Sequence, residues 1–126
     1  MKITRFEEIK AWQEARVLVK LVYEAINANE RFRKDLRLVS QMQGAAVSCM
    51  SNIAEGFARK GKREFIQYLF ISKSSAAEVQ SHLYVAIDQG YIAKESFDEI
   101  YTQAEKVAKM DSGFIKYLNS ELKKPK

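Results

Sequence analysis

The sequence predicts an all-α protein, an antiparallel up-down-up-down four-helix bundle, and three observations carry that reading. The single proline, Pro125, stands in the C-terminal tail and only five glycines are scattered through 126 residues, so helices can run long without their usual breakers. Apolar residues recur at helical spacing through four successive segments. The connections between those segments are short, which turns each helix back along the one before it. A chain of this length fits one domain, 1–126, and is long enough to bury roughly two thirds of its unfolded surface.

The first helix is predicted from about Phe6 to Ala28, opened by a capping box of Thr4 with Glu7 and carrying one apolar face of Ile9, Trp12, Ala15, Val19, Val22 and Ile26. A polar, basic connection follows from Asn29 to Asp35. The second helix runs from about Leu36 to Lys60, with Val39, Ala46, Val47, Met50, Ile53, Ala54 and Phe57 on one side. The third starts near Lys62 and stops near Gly90, with Phe65, Leu69, Ser72, Ala76, Val79, Leu83 and Ile87 as its seam. In the fourth, Phe97, Ile100, Tyr101, Ala104, Val107, Ala108, Ile115, Leu118 and Leu122 face inward, and Ser96 with Glu99 supplies the predicted cap. The lysine-rich end, 123–126, is expected to fray.

Two helices carry more than the one face a simple bundle needs. The segment Ser51-Asn52-Ile53-Ala54-Glu55-Gly56-Phe57-Ala58-Arg59 holds little bulk, as expected of a helix packed closely on more than one side. On that second helix Gly44, Ser48, Ser51, Glu55 and Ala58 share a strip of small and polar residues away from the apolar side. Glycine in a helix interior costs about 1 kcal/mol relative to alanine, so close packing is expected to offset Gly44 and Gly56. On the third helix Ile66, Phe70, Ala77 and Tyr84 form a second apolar strip. These two surfaces predict a homo-oligomer with Gly44, Ser48, Ser51, Ile66, Phe70 and Tyr84 at the subunit interface. Cover from the fourth helix or the first loop is the alternative.

The residue inventory argues against chemistry. Cys49 is the only cysteine, so no intramolecular disulfide or cysteine cluster can form, and it reads as a small apolar packing residue. His82 is the only histidine and has no second ligand in view. Asn52 and Glu55 lack a histidine, cysteine or second acid at useful spacing, so they are expected in a structural polar network, joined by Glu78 unless Glu78 is simply solvated. Trp12 reads as core filler. No nucleophile with a base, metal cluster or phosphate-cradling glycine loop can be assembled. The expectation is no catalytic residue, no cofactor and no metal. The N-terminus reaches Glu7 and Glu8 before any apolar run, unlike a signal peptide, and no stretch is apolar enough to span a bilayer, so the expected location is cytoplasmic and off the membrane.

Charge points to a partner. Lysine and arginine number 21 against 16 acids, a formal net charge of +5. Arg59, Lys60, Lys62 and Arg63 crowd the turn between the second and third helices, and Arg31, Arg33, Lys34 and Arg37 mark the turn between the first and second. In an up-down bundle these clusters lie at opposite ends. An oligomer would repeat each of them around its axis and bind phosphates multivalently. Neither cluster holds an aromatic platform apart from Phe32, so binding should follow backbone and shape rather than base sequence. The plainer reading is that these cations only solvate helix ends and complement helix dipoles.

The order Phe6, Trp12-Gln13, Val39-Ser40-Gln41, Ala45-Ala46-Val47-Ser48, Ser51-Asn52-Ile53-Ala54-Glu55-Gly56, Arg59, Glu64-Phe65, Glu78 and Gly90-Tyr91-Ile92 resembles the bacterial four-helix-bundle family encoded by intervening sequences in large-subunit ribosomal RNA genes. Its members are often labelled ribosomal proteins, and it is similar to the accessory variability protein of diversity-generating retroelements. The resemblance covers nearly the whole chain. It implies a bundle assembled as a ring, typically a homopentamer, without enzymatic activity; for the retroelement relatives it implies binding to nucleic acid and to a reverse transcriptase. Two positions depart from the family pattern. Gln43-Gly44 stands where members carry basic residues before the Ala-Ala pair, and Asp111 stands where the family and the apolar spacing call for leucine. A carboxylate there needs a partner or water, which predicts a wet subunit contact.

Two functional classes follow. The first is a non-enzymatic oligomeric scaffold that binds RNA or DNA through its basic ends. The alternative is a protein-interaction adaptor, for example for a polymerase or reverse transcriptase, with no direct contact to nucleic acid.

Overall fold

The computed structural model describes residues 2–125. A 3-10 turn, Phe6–Glu8, leads into α1 (Lys10–Asn27), followed by a short α2 (Glu30–Lys34), then α3 (Leu36–Ala58), α4 (Lys62–Asp88) and α5 (Lys94–Leu122). The four long helices form the bundle. Going round it, α1 packs on α3, α3 on α4, α4 on α5, and α5 closes back on α1. Consecutive helices run antiparallel: Cys49 meets Ser72 while Phe57 meets Phe65 between α3 and α4, and Ser72 meets Asp111 while Tyr84 meets Phe97 between α4 and α5.

The N-terminal cap differs from the expected one. Glu8, not Glu7, closes it: its Oε1 accepts from the backbone N–H of Thr4 at 2.8 Å and of Arg5 at 3.2 Å. Glu7 instead pairs with Arg5 at 3.1 Å. Ile9 is extended at φ −76°, ψ 120°, which delays α1 to Lys10 and sends the Ile9 side chain into the core. The buried stripe of α1 is Ala11, Ala15, Leu18, Val22 and Ile26. Trp12 is half-buried, edge-on to Phe6 at 5.1 Å.

The expected loop from Asn29 to Asp35 contains a helix. Asn29 Oδ1 accepts from Phe32 N–H at 2.9 Å, an N-cap that nucleates α2. Phe32 is then driven into the core with no exposure and stacks on Tyr91 at 5.1 Å. Asp35 caps α3 through Leu38 N–H at 3.2 Å and accepts from the Tyr91 hydroxyl at 2.9 Å. The loop that ends α4 is thereby tied to the start of α3. That bond to Asp35 also raises the Tyr91 pKa.

The inner face of α3 is turned from the expected one. Leu38, Met42, Ala45, Ala46, Cys49, Ile53 and Gly56 are buried, whereas Val47 is 37% exposed and Val39, Met50 and Phe57 are only half-buried. The reason is that α3 lies between α1 and α4, and its small residues admit both neighbours. A Cβ on Gly56 would stand 2.7 Å from Tyr68 Cβ and 2.8 Å from Phe65 Cδ1. The seam of α4 is as expected from Phe65 to Leu83, with Ser75 and Ala86 added to it and Ile87 only half-buried. Gly90 ends α4 at φ 74°, and Tyr91 N–H returns to the Ala86 carbonyl at 2.9 Å. α5 begins at Lys94 rather than at a Ser96 cap: Ala93 occupies the N-cap without a side-chain bond, and Lys94 pairs with Asp98 at 2.7 Å. At the other end Lys124 pairs with Glu121 at 2.6 Å, and Lys126 of the expected frayed tail lies outside the described residues. Among the described residues no helix is long and apolar enough to cross a membrane.

Candidate nucleic-acid interface

The two basic clusters do occupy opposite ends of the bundle, but their surroundings differ. At the α2 end, Arg31 lies over the Tyr91 ring at 5.4 Å, Arg33 donates to the Asn27 carbonyl at 2.6 Å and Lys34 pairs with Glu30 at 3.2 Å. Three of the four cations there are engaged by their own chain, and Arg37 stands exposed on the first turn of α3. Phe32, expected as the aromatic platform of this end, is buried and cannot offer its face to a base.

At the α3–α4 end, Arg59 pairs with Glu55 at 3.3 Å and lies over Tyr68 at 5.3 Å, while Lys62 reaches Glu121 only at 4.0 Å. Lys60 and Arg63 are exposed and have no ion-pair partner among the described residues. Lys60 has φ 63°, the left-handed conformation that closes helices and favours glycine. The turn therefore presents two free cations, Lys60 and Arg63, beside a loosely paired Lys62 and an Arg59 engaged by its own chain.

The polar residues of α3 divide rather than forming one network. Asn52 Nδ2 donates to the Ser48 carbonyl at 2.8 Å and to Ser48 Oγ at 2.9 Å, and Ser75 Oγ donates to Ser48 Oγ at 2.8 Å, which carries the chain of bonds to α4. Glu55 is exposed and held by Arg59, and Glu78 is exposed on α4, so within the chain neither joins Asn52.

Asp111, expected at a wet subunit contact, lies instead in the core of the single chain. It has no exposure, and its Oδ2 accepts from Ser72 Oγ at 2.6 Å, while Oδ1 has no hydrogen-bond partner among the described residues. Burial pushes its pKa up to about 7, against the opposing pull of the Ser72 bond and of Lys73. Cys49 Sγ lies 3.5 Å from the Ser72 carbonyl. Burial first, and the nearby carboxylate of Asp111 second, push that thiol up to about 12, which leaves it protonated and unreactive. His82 is half-buried, and no group of three or more metal-ligating side chains occurs among the described residues.

Two apolar surfaces remain open. Phe70 and Tyr84 on α4 are 50% and 54% exposed, with Tyr84 leaning on Phe97 at 5.0 Å, so α5 covers part of the expected strip. Ile66 is half-buried against the core. Gly44, Ser51 and Glu55 are exposed and Ser48 is half-buried, and a Cβ at Gly44 would meet nothing within 4 Å. Sequence reading missed the continuation of this face: Tyr23, Leu36, Val39 and Val47 line a shallow groove with Gly44 between α1 and α3. Leu36, 75% exposed next to the Asp35 cap, was the available signal.

The sequence model of the 23S rRNA-intervening sequence protein family matches residues 7–113. A crystal structure of a protein of unknown function from the S23 ribosomal protein family of Bacteroides thetaiotaomicron is similar to this chain at 25% identity and a TM-score of 0.70. The match covers 85% of this chain and 95% of that one. No curated protein matches.

Proposed function

This chain belongs to the 23S rRNA-intervening sequence protein family, and from that premise we propose that it is a non-enzymatic oligomeric scaffold that holds nucleic-acid phosphates at its α3–α4 end. The observation that carries the reading is the pair of free cations, Lys60 and Arg63, beside Arg59 and Lys62 on one turn. Cations unpaired within the fold can release the counterions of a phosphate backbone without first breaking an internal ion pair.

Assembly multiplies that turn. The groove between α1 and α3, with Leu36 and Val47, lies on the opposite side of the bundle from the groove between α4 and α5, with Phe70. Two unlike surfaces on opposite sides suit a head-to-tail contact, which makes a ring where the rotation between subunits closes and an open filament where it does not. Every subunit would then add one α3–α4 turn to the same rim, raising avidity without any new contact.

Anisotropy of labelled structured RNA and duplex DNA across a salt series, with assembly mass measured on the same sample, tests both parts. The expected result is an oligomer that binds at low salt and weakens steeply as salt rises, with Lys60→Glu/Arg63→Glu weakening binding and flattening that salt dependence. An intact oligomer that binds neither probe at low salt removes the phosphate reading. A monomer at all concentrations removes the scaffold reading.

A further inference from the structure

The α3–α4 turn does not end in flat surface. Beside it opens a groove of about 430 Å³ whose wall includes Phe57, Phe65 and Phe114 and whose rim carries Lys60 and Lys62. The rings pack edge to face, Phe57 to Phe65 at 6.2 Å and Phe65 to Phe114 at 5.0 Å. Phe65 is fixed in the core, while Phe57 and Phe114 are half-buried and share their remaining surface with the groove. Sequence reading left this end without an aromatic platform, because Phe114 arrives from α5, some fifty residues beyond the turn.

We propose that this groove seats one unstacked nucleobase of a single-stranded segment, with Lys60 and Lys62 on the phosphates that flank it. The proposal rests on the phosphate-binding reading above and adds what the groove selects. Three features favour a nucleotide occupant. Its volume lies within the range of small-ligand sites and accommodates a base with its sugar. Its wall is aromatic, and aromatic side chains stack on any base without reading its edge. Its cations, Lys60 and Lys62, are exposed to solvent while Phe65 in its wall is buried, which suits a ligand with an apolar plane inside and anionic groups outside. Lys60 reinforces the point: its backbone occupies a conformation where glycine is favoured, yet a long cation stands there on the rim.

The test uses the full chain and three probes: a labelled single-stranded oligonucleotide, the same strand with abasic sites, and a duplex of the same length. Phe57→Leu/Phe114→Leu removes the two half-buried rings of the wall while keeping apolar volume and the buried Phe65. It is expected to weaken the intact strand about tenfold, to the level at which the wild type holds the abasic strand, and to leave the duplex unchanged. In parallel, 2-aminopurine placed in the strand should change its emission on binding the wild-type protein, a readout that needs no variant to fold. Equal binding of intact and abasic strands, or no change in 2-aminopurine emission on a bound strand, overturns the base site while duplex binding still supports the phosphate reading. Failure of strand and duplex alike overturns both. Uptake of dodecanoate that leaves strand binding insensitive to the base would reassign the groove to an acyl chain.

Discussion

The two ends of this bundle carry equal numbers of basic residues in their turns and put them to different uses. At the α2 end three of the four cations are engaged by the chain, Arg31 on Tyr91, Arg33 on a helix-terminal carbonyl and Lys34 on Glu30, and Arg37 alone is left exposed. The same region is locked underneath by Phe32 stacked on Tyr91 and by Asp35, which caps α3 and holds the Tyr91 hydroxyl. At the α3–α4 end the turn is short, two cations are free and an aromatic groove stays open. Counting charge along a sequence treats these ends as equals. Availability depends on what the fold places within reach of each charge, and here it separates a closed end from an open one.

The largest effect should come from breaking the closed end. Phe32→Ala removes a fully buried ring and its stacking on Tyr91, and about 3–5 kcal/mol of stability should go with it. Phe57→Ala at the open end removes a half-buried ring and should cost less than half as much. Urea unfolding of both variants compares them directly; equal losses would mean that the open end is packed as tightly as the closed one.

Next in size is Asp111, which lies between the ends. Its folded pKa is raised from 3.8 to about 7, so the folded state keeps a proton that the unfolded chain releases. Stability is therefore highest at low pH as far as this group is concerned, falls as pH climbs from about 4 to about 7, and is flat above. The loss corresponds to roughly 4 kcal/mol at about 1.4 kcal/mol per unit. Asp111→Leu should raise stability at pH 8 by about 2 kcal/mol, part of the gain being spent on Ser72, which loses its acceptor. Melting of both proteins from pH 4 to pH 8 checks this; parallel curves would show that the carboxyl does not titrate in that window.

The all-α class, the four long helices and the inner seam of α4 were legible because they follow from spacing alone. So was the stop at Gly90, which needs only a glycine in the right place. What was not legible depends on partners distant in sequence. Phe32 looked like a surface platform because its neighbours are Arg31 and Arg33; its burial depends on Tyr91, far along the chain. Asp111 was recognised as anomalous, but Ser72, hidden in an apolar seam, is what lets it sit in the core. The face of α3 was misjudged because a helix with two neighbours has no single apolar stripe. The basic turn was found by composition, whereas the groove beside it required α5 to be in place.

Glycine separates inner from outer packing on α3 itself. At Gly56 the added methyl meets Tyr68 Cβ and the Phe65 ring, neither of which can yield cheaply, so Gly56→Ala should cost about 1–3 kcal/mol and loosen α3 against α4 near the open end. At Gly44 the methyl meets nothing within 4 Å of its own chain. Gly44→Ala in a monomer should gain about 0.5–1 kcal/mol from helix propensity. A loss at Gly44 that appears only where the assembly forms would place that residue under a neighbouring subunit, and melting measured on either side of the assembly concentration reads it.

The smallest expected change isolates function from fold at the open end. Lys60 holds a left-handed backbone at φ 63°, a conformation that costs an L-residue about 1–2 kcal/mol and glycine nothing. Part of that relief is returned through the greater freedom of glycine in the unfolded chain, leaving Lys60→Gly about 0.5 kcal/mol more stable than the wild type. The same substitution removes a free cation from the turn and from the rim of the groove. A structural residue would gain stability here and lose nothing, whereas a binding residue should gain stability and lose affinity for single strands. The discriminating measurement is therefore the pair, thermal unfolding and oligonucleotide anisotropy on one preparation. Greater stability with unchanged affinity would remove Lys60 from the interface and leave Arg63 as the free cation of that turn.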